Sequence, residues 1–61
     1  MLTEFSALNK ASHLSKTHFI DEIVIVYKTE DGEYSCGVES NYLGDESKIL
    51  QRYLNGKIVP T

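Results

Sequence analysis

The sequence has a single cysteine, Cys36, so no internal disulfide can form within its 61 residues. Its cysteine and histidines also lack the spacing of a structural zinc site. A chain of this length buries only about 60% of its unfolded surface, and it usually needs a disulfide, a metal or another chain for stability. We therefore expect association with a partner protein or with a second copy, most simply as a homodimer.

Long apolar runs are also missing. The longest, residues 23–27, has five members, whereas a membrane-spanning helix needs about 20. No basic leader followed by an apolar stretch and a cleavage site is visible. With 41% hydrophobic and 25% charged residues, the composition is typical of one folded domain over residues 1–61. We expect a soluble, cytoplasmic protein.

Signatures of catalysis are scarce as well. The sequence has no Gly-rich phosphate loop, no serine elbow and no calcium-loop spacing. Cys36 with His13 and His18 is the only set that resembles a nucleophile and a base, but strand parity places the cysteine in the core, where a thiol is inert. The spacing of the histidines does not suit two metal ligands on one helix. We expect no enzyme activity, no metal and no cofactor.

What the chain does contain is a β-hairpin signal over residues 21–40. A β-branched run at residues 23–27 is followed by Asp31-Gly32 and by a stretch of alternating polar and apolar residues. Asp-Gly suits the two-residue loop of a type I′ turn. That loop sets a register in which Ile25 faces Val38 across the ladder.

This register assigns each residue of the hairpin to a face. A three-residue loop with a bulge would slip the pairing by one and bring polar residues beside the isoleucines, so we expect the two-residue loop. The predicted core face comprises Ile23, Ile25, Tyr27, Tyr34, Cys36 and Val38. The opposite face carries Val24 and Val26. These valines are either partly covered, by the tail or by the stem of Lys28, or exposed as a contact surface for a second subunit or a partner.

Two helices are predicted on either side of the hairpin. Residues 3–15 form a moderately amphipathic helix, with Thr3 or Ser6 as N-cap. A second helix begins at Asp45 and ends at Asn55-Gly56, and its apolar stripe packs on the isoleucine face. That stripe consists of Ile49, Leu50, Tyr53 and Leu54.

After the second helix, the tail at residues 57–61 can form a short third strand, parallel to a hairpin strand, with Pro60 ending the pairing. The predicted fold class is therefore α+β, with an N-terminal helix, an antiparallel β-hairpin and a C-terminal helix packed on one face of the sheet.

Charge is distributed unevenly along the chain. Residues 21–46 hold eight acids and one base, whereas residues 47–61 hold three bases and no acid. The first hypothesis from this pattern is a non-catalytic protein-binding module, a small acidic inhibitor or regulator that can occupy the basic nucleic-acid-binding groove of another protein. Its partner-binding residues are Val24, Val26, Glu30, Asp31, Glu33 and Glu39.

The alternative hypothesis uses the basic residues. Lys48 and Arg52 lie one turn apart on the predicted second helix and would form a basic strip for nucleic-acid binding or transcription regulation. The same strip can instead meet the acidic hairpin of a second subunit in a two-fold dimer. The residues of the alternative site are Lys10, Lys48, Arg52 and Lys57.

Overall fold

A computed structural model describes residues 3–60. Its four strands form one antiparallel sheet in the order β2-β1-β3-β4. The α+β class is confirmed, and residues 1, 2 and 61 of the predicted domain lie outside the described residues. The elements are α1 (Glu4–Thr17), β1 (Val24–Lys28), β2 (Tyr34–Val38), 3-10 turns at Glu39–Asn41 and Glu46–Lys48, β3 (Ile49–Leu54) and β4 (Lys57–Ile58).

The N-terminal helix is confirmed, with Thr3 as its cap. The Thr3 hydroxyl accepts a hydrogen bond from the backbone N–H of Ser6 at 3.1 Å, which satisfies one of the unpaired donors of the first turn. Ala7 and Ala11 are fully buried against the sheet, and their small side chains allow a close approach. No helix within residues 3–60 is both long and apolar enough to cross a membrane.

The hairpin is present, but its predicted register is wrong by one residue. Val24 pairs with Val38, and Ile25 pairs with Gly37. The backbone N–H of Thr29 donates to the carbonyl of Glu33 at 2.7 Å, so residues 30–32 form a three-residue loop. Gly32 takes the left-handed conformation with φ of 83°, as the bulged three-residue hairpin requires.

The slipped register inverts the predicted faces of β1. Val24 and Val26 are fully buried with Ala7 and Ala11 under α1, so the prediction of an outward valine surface is wrong. Ile25 points to the other side and is also fully buried. β1 is thus a central strand covered on both faces, which explains its unbroken apolar run.

The second face of β1 is covered by residues 39–48, which we call the crossover. β2 and β3 are both antiparallel to β1, so they run parallel to each other, and the chain must cross β1 to connect them. The ring of Tyr42 in the crossover lies 4.6 Å from the ring of Tyr27 in β1. This contact places the crossover opposite α1.

The predicted C-terminal helix is absent from residues 3–60, where β3 occupies half of its range. Asp45 does act as a cap, and its carboxylate accepts a hydrogen bond from the N–H of Ser47. What it caps is a short 3-10 turn, not an α-helix. Asn55 and Gly56 have φ of 52° and 78°, and they form the two-residue loop of a second hairpin. β4 is therefore antiparallel to β3, not parallel to a strand of the first hairpin.

Candidate functional site

The acidic residues of the predicted partner site separate into two places. Glu30 and Asp31 are exposed in the loop between β1 and β2, and Glu33 is half-buried beside them. We call these three residues the acidic tip. Glu39 lies beyond the other end of β2, at the start of the crossover.

Glu39 is held by Arg52, a residue of the competing hypothesis. The Nε of Arg52 lies 2.6 Å from Glu39 Oε2, and its Nη2 lies 3.0 Å from Glu46 Oε1. The hydrogen bond to Glu39 is the main reason why the pKa of Arg52 is raised. Only 17% of the Arg52 side chain is exposed, so its charge is largely satisfied within the chain.

The two ion pairs fasten the crossover to β3, and replacing Arg52 with methionine removes both while keeping much of the aliphatic stem. We expect a lower urea midpoint for this variant and a weaker contact between Tyr42 and Tyr27. Because Glu46 is largely exposed, salt screens part of this interaction. The difference in urea midpoint between wild type and the variant should therefore shrink as salt rises, which urea titrations at low and high salt measure.

A Lys48→Met variant is the matched control, since it removes one positive charge from the same region. Lys48 forms no ion pair within residues 3–60, so its urea midpoint should stay close to that of wild type. Equal urea midpoints for the Arg52 and Lys48 variants would contradict a stabilising role for the two ion pairs of Arg52.

The remaining basic residues do not form the predicted strip, because the helix that would align them is absent. Lys10 lies on α1, Lys48 in a 3-10 turn, and Lys57 on β4. The residues of the alternative site are thus distributed over four elements, and Arg52 is engaged with two carboxylates.

A groove of about 630 Å³ lies along the outer side of β2. Residues 36–38 of β2 line it, with Leu14 and Phe19 from the α1 side and Tyr42 and Leu43 from the crossover. Leu43 is 98% exposed, the highest value among the large apolar side chains of the described residues. Lys10 is the only charged residue that lines the groove among the described residues.

The backbone at this groove is an open sheet edge. The N–H of Glu39 donates to the carbonyl of Ile23, and the N–H of Thr29 donates to the carbonyl of Glu33. In an alternating antiparallel ladder, the odd-numbered residues of β2 therefore make their backbone hydrogen bonds to β1. The N–H and C=O groups of Tyr34, Cys36 and Val38 therefore point away from β1. Within residues 3–60, no strand pairs with this side of β2.

The thiol at the centre of this edge is free and half-buried. Burial raises the pKa of Cys36, and the positive charge of Lys10 opposes that rise only in part. His18 has its Nδ1 2.9 Å from the hydroxyl of Thr17, and His13 is exposed on α1. No group of three metal-binding side chains occurs within residues 3–60.

Sequence reasoning missed this groove. Lys10 and Cys36 appear among the sequence candidates, but for other roles, and Leu14, Phe19, Tyr42 and Leu43 do not appear as site residues. The available signal was Gly37, a strand residue without a side chain, which often marks a close approach of another chain or ligand.

The fold defines a small α+β protein in which one helix and one crossover segment enclose an antiparallel sheet. Comparisons with protein-family models, with curated protein sequences and with solved structures give no match. The candidate functional features of the chain are therefore the acidic tip, the open edge and the groove.

Proposed function

We propose that this chain is a non-catalytic protein-binding module, a small inhibitor or regulator of another protein. The observation that carries the proposal is the combination of exposed carboxylates with an open, groove-lined sheet edge on β2. Both features lie on the same strand or its adjoining loop. An exposed edge strand is normally shortened, covered or charged, and here the charge is concentrated at one end.

The acidic tip has charge available for a partner. Glu30 and Asp31 are exposed and form no ion pair within residues 3–60. The nearby base, Lys28, has its Nζ 5.8 Å from the centroid of the Tyr34 ring, so it lies over an aromatic face instead of pairing with the tip. A basic surface on the partner, such as a nucleic-acid-binding groove, would complement these carboxylates.

Charge reversal at the tip tests this proposal. We expect a Glu30→Lys/Asp31→Lys variant to lose proteins that the wild-type chain retains from an extract of its source cells, because complementary charges set both on-rate and specificity. The matched control is Asp21→Lys/Glu22→Lys, which makes the same charge change at two exposed residues before β1. The retained proteins are compared by mass spectrometry.

A partner that is retained equally by the tip variant and by the control variant would contradict the role of the acidic tip. The nucleic-acid hypothesis makes a different prediction, namely binding to plain duplex DNA with a steep loss of affinity as salt rises. With Arg52 engaged by Glu39 and Glu46, this alternative retains only Lys10, Lys48 and Lys57 as charges for phosphate.

The expectation of a homodimer has less support than the binding of a partner. It rests on the short chain, on the valine pair and on the open edge of the hairpin. Val24 and Val26 are fully buried, which leaves the edge of β2 as the surface for self-pairing. Sedimentation at two protein concentrations tests self-association directly.

A further inference from the structure

We infer that an extended segment of the partner protein adds to the outer edge of β2 as a fifth strand of the sheet, with a carboxylate side chain directed at Lys10. This inference rests on the proposed protein-binding function and specifies how the partner is held. Strand addition of this kind takes affinity from backbone hydrogen bonds and specificity from alternate side chains.

The backbone of β2 is suited to an added antiparallel strand. Its outward N–H and C=O groups belong to Tyr34, Cys36 and Val38, so a hydrogen-bonded pair would form opposite each of these residues. The whole described sheet is antiparallel, and antiparallel pairing is slightly more stable per residue. A partner segment of about six residues would span from Val38 to Glu33.

The groove gives the added strand a different environment on each face. A Cβ placed on Gly37 would meet no atom within 4 Å, so a large apolar side chain of the partner can fill the space beside Tyr42 and Leu43. A partner residue opposite Cys36 would point to the α1 side, where Lys10 lines the groove together with Cys36. A carboxylate at that position would pair with the lysine.

Charge also decides between a foreign segment and a second copy. The two-fold pairing of β2 that uses all three outward residues is centred on Cys36, so it places the two thiols opposite each other and offers no carboxylate to Lys10, which lines the groove with Cys36. It also places Glu33 opposite Glu39, whose charge is already paired with Arg52 of its own chain, so Glu33 gains no basic partner. The edge is thus better suited to a different chain, one with a basic side chain opposite Glu33.

The probe is the end-blocked peptide Val-Leu-Glu-Thr-Val-Lys, whose first residue would lie opposite Val38 and whose last would lie opposite Glu33. We expect it to shift the NMR resonances of the β2 amides. Methylating the backbone nitrogen of its glutamate removes a bond to Cys36 and should weaken binding by at least about tenfold. Methylating the threonine nitrogen, which faces away from β2, is the matched control and should change affinity little.

A charge exchange tests the role of Lys10. The Lys10→Glu variant should bind the glutamate peptide more weakly and should prefer a peptide with lysine at the third position. Absence of β2 shifts at millimolar peptide, or equal effects of the two methylations, would overturn strand addition. Concentration-dependent dimers that protect the β2 amides would overturn it in favour of self-pairing.

The outcome for the acidic tip is separable from this test. Charge reversal at Glu30 and Asp31 can abolish capture of a partner while the two peptide methylations have equal effects. In that case the protein-binding proposal stands and strand addition fails. The opposite result is that the two methylations differ as expected but the tip variants still capture the partner normally. The edge is then the binding site, and the tip contributes only charge.

Discussion

Replacing Val24 with aspartate is expected to unfold the protein. Val24 is fully buried beneath α1, in a cluster with Ala7, Ala11, Val26 and Tyr53. A carboxylate there would have no described basic partner and would cost about 3–5 kcal/mol or more. A chain of this length has a total stability of roughly 3–9 kcal/mol, so most of it would be lost. Far-UV circular dichroism and urea unfolding measure the effect.

Two further variants make this prediction specific. Val24→Ala keeps the site apolar and should cost only about 1.5–2.5 kcal/mol. Leu43→Asp introduces the same carboxylate at a leucine that is 98% exposed, so its urea midpoint should stay close to that of wild type. A folded Val24→Asp protein, as stable as Leu43→Asp, would show that Val24 does not lie in the core.

The prediction for Val24 changes how function can be tested. If Val24 faced outward, as the sequence predicts, Val24→Asp would abolish protein binding and spare nucleic-acid binding. In this fold the variant removes the structure that both functions need. Substitutions at exposed positions, such as Glu30 and Asp31, are the informative ones.

The register of the first hairpin shows where sequence reasoning stopped. The alternation in β2 and the Asp31-Gly32 pair correctly indicate a hairpin. The two-residue loop that was predicted and the three-residue loop that is observed both accept a glycine at position 32. The choice between them depended on which face of β1 was buried. Since Val24, Ile25 and Val26 are all fully buried, the strand itself carries no alternation, and only its tertiary neighbours decide the register.

The missed strand has a similar cause. Residues 49, 50, 53 and 54 have apolar spacing that suits a helix, and the capping residue Asp45 and the dipeptide Asn55-Gly56 are typical of the two ends of one. The same dipeptide is a strong hairpin signal. A bulge between Val26 and Tyr27 in the pairing with β3 interrupts the alternation of β3, which hides the strand pattern.

The candidate site was less predictable than the fold. The groove collects side chains from α1, the residues that follow it, β2 and the crossover, so it exists only after the chain has folded. The ion pair between Arg52 and Glu39 joins residues that are 13 positions apart, and no local pattern links them. The acidic tip was identifiable because its charge and its exposure both follow from the loop.

The second large effect is expected from a single buried hydroxyl, that of Ser15. Its side chain is fully buried on α1, and its Oγ accepts the backbone N–H of Gly56 at 2.7 Å while donating to the carbonyl of Ser12 at 3.0 Å. Ser15 thereby fastens the loop of the β3–β4 hairpin to the helix. This link spans 41 positions.

Ser15→Ala should lower stability by about 1–3 kcal/mol, because the Gly56 N–H loses its acceptor in a partly buried position. Ser12→Ala is the matched control, since its hydroxyl makes no described hydrogen bond and alanine favours a helix. Urea unfolding gives the free energies, and amide hydrogen exchange at Gly56 should accelerate in the Ser15 variant alone. Unchanged exchange at Gly56, with or without a loss of stability, would contradict the anchoring role. The helix would then hold β3 and β4 by apolar packing, with Tyr53 as the main contact.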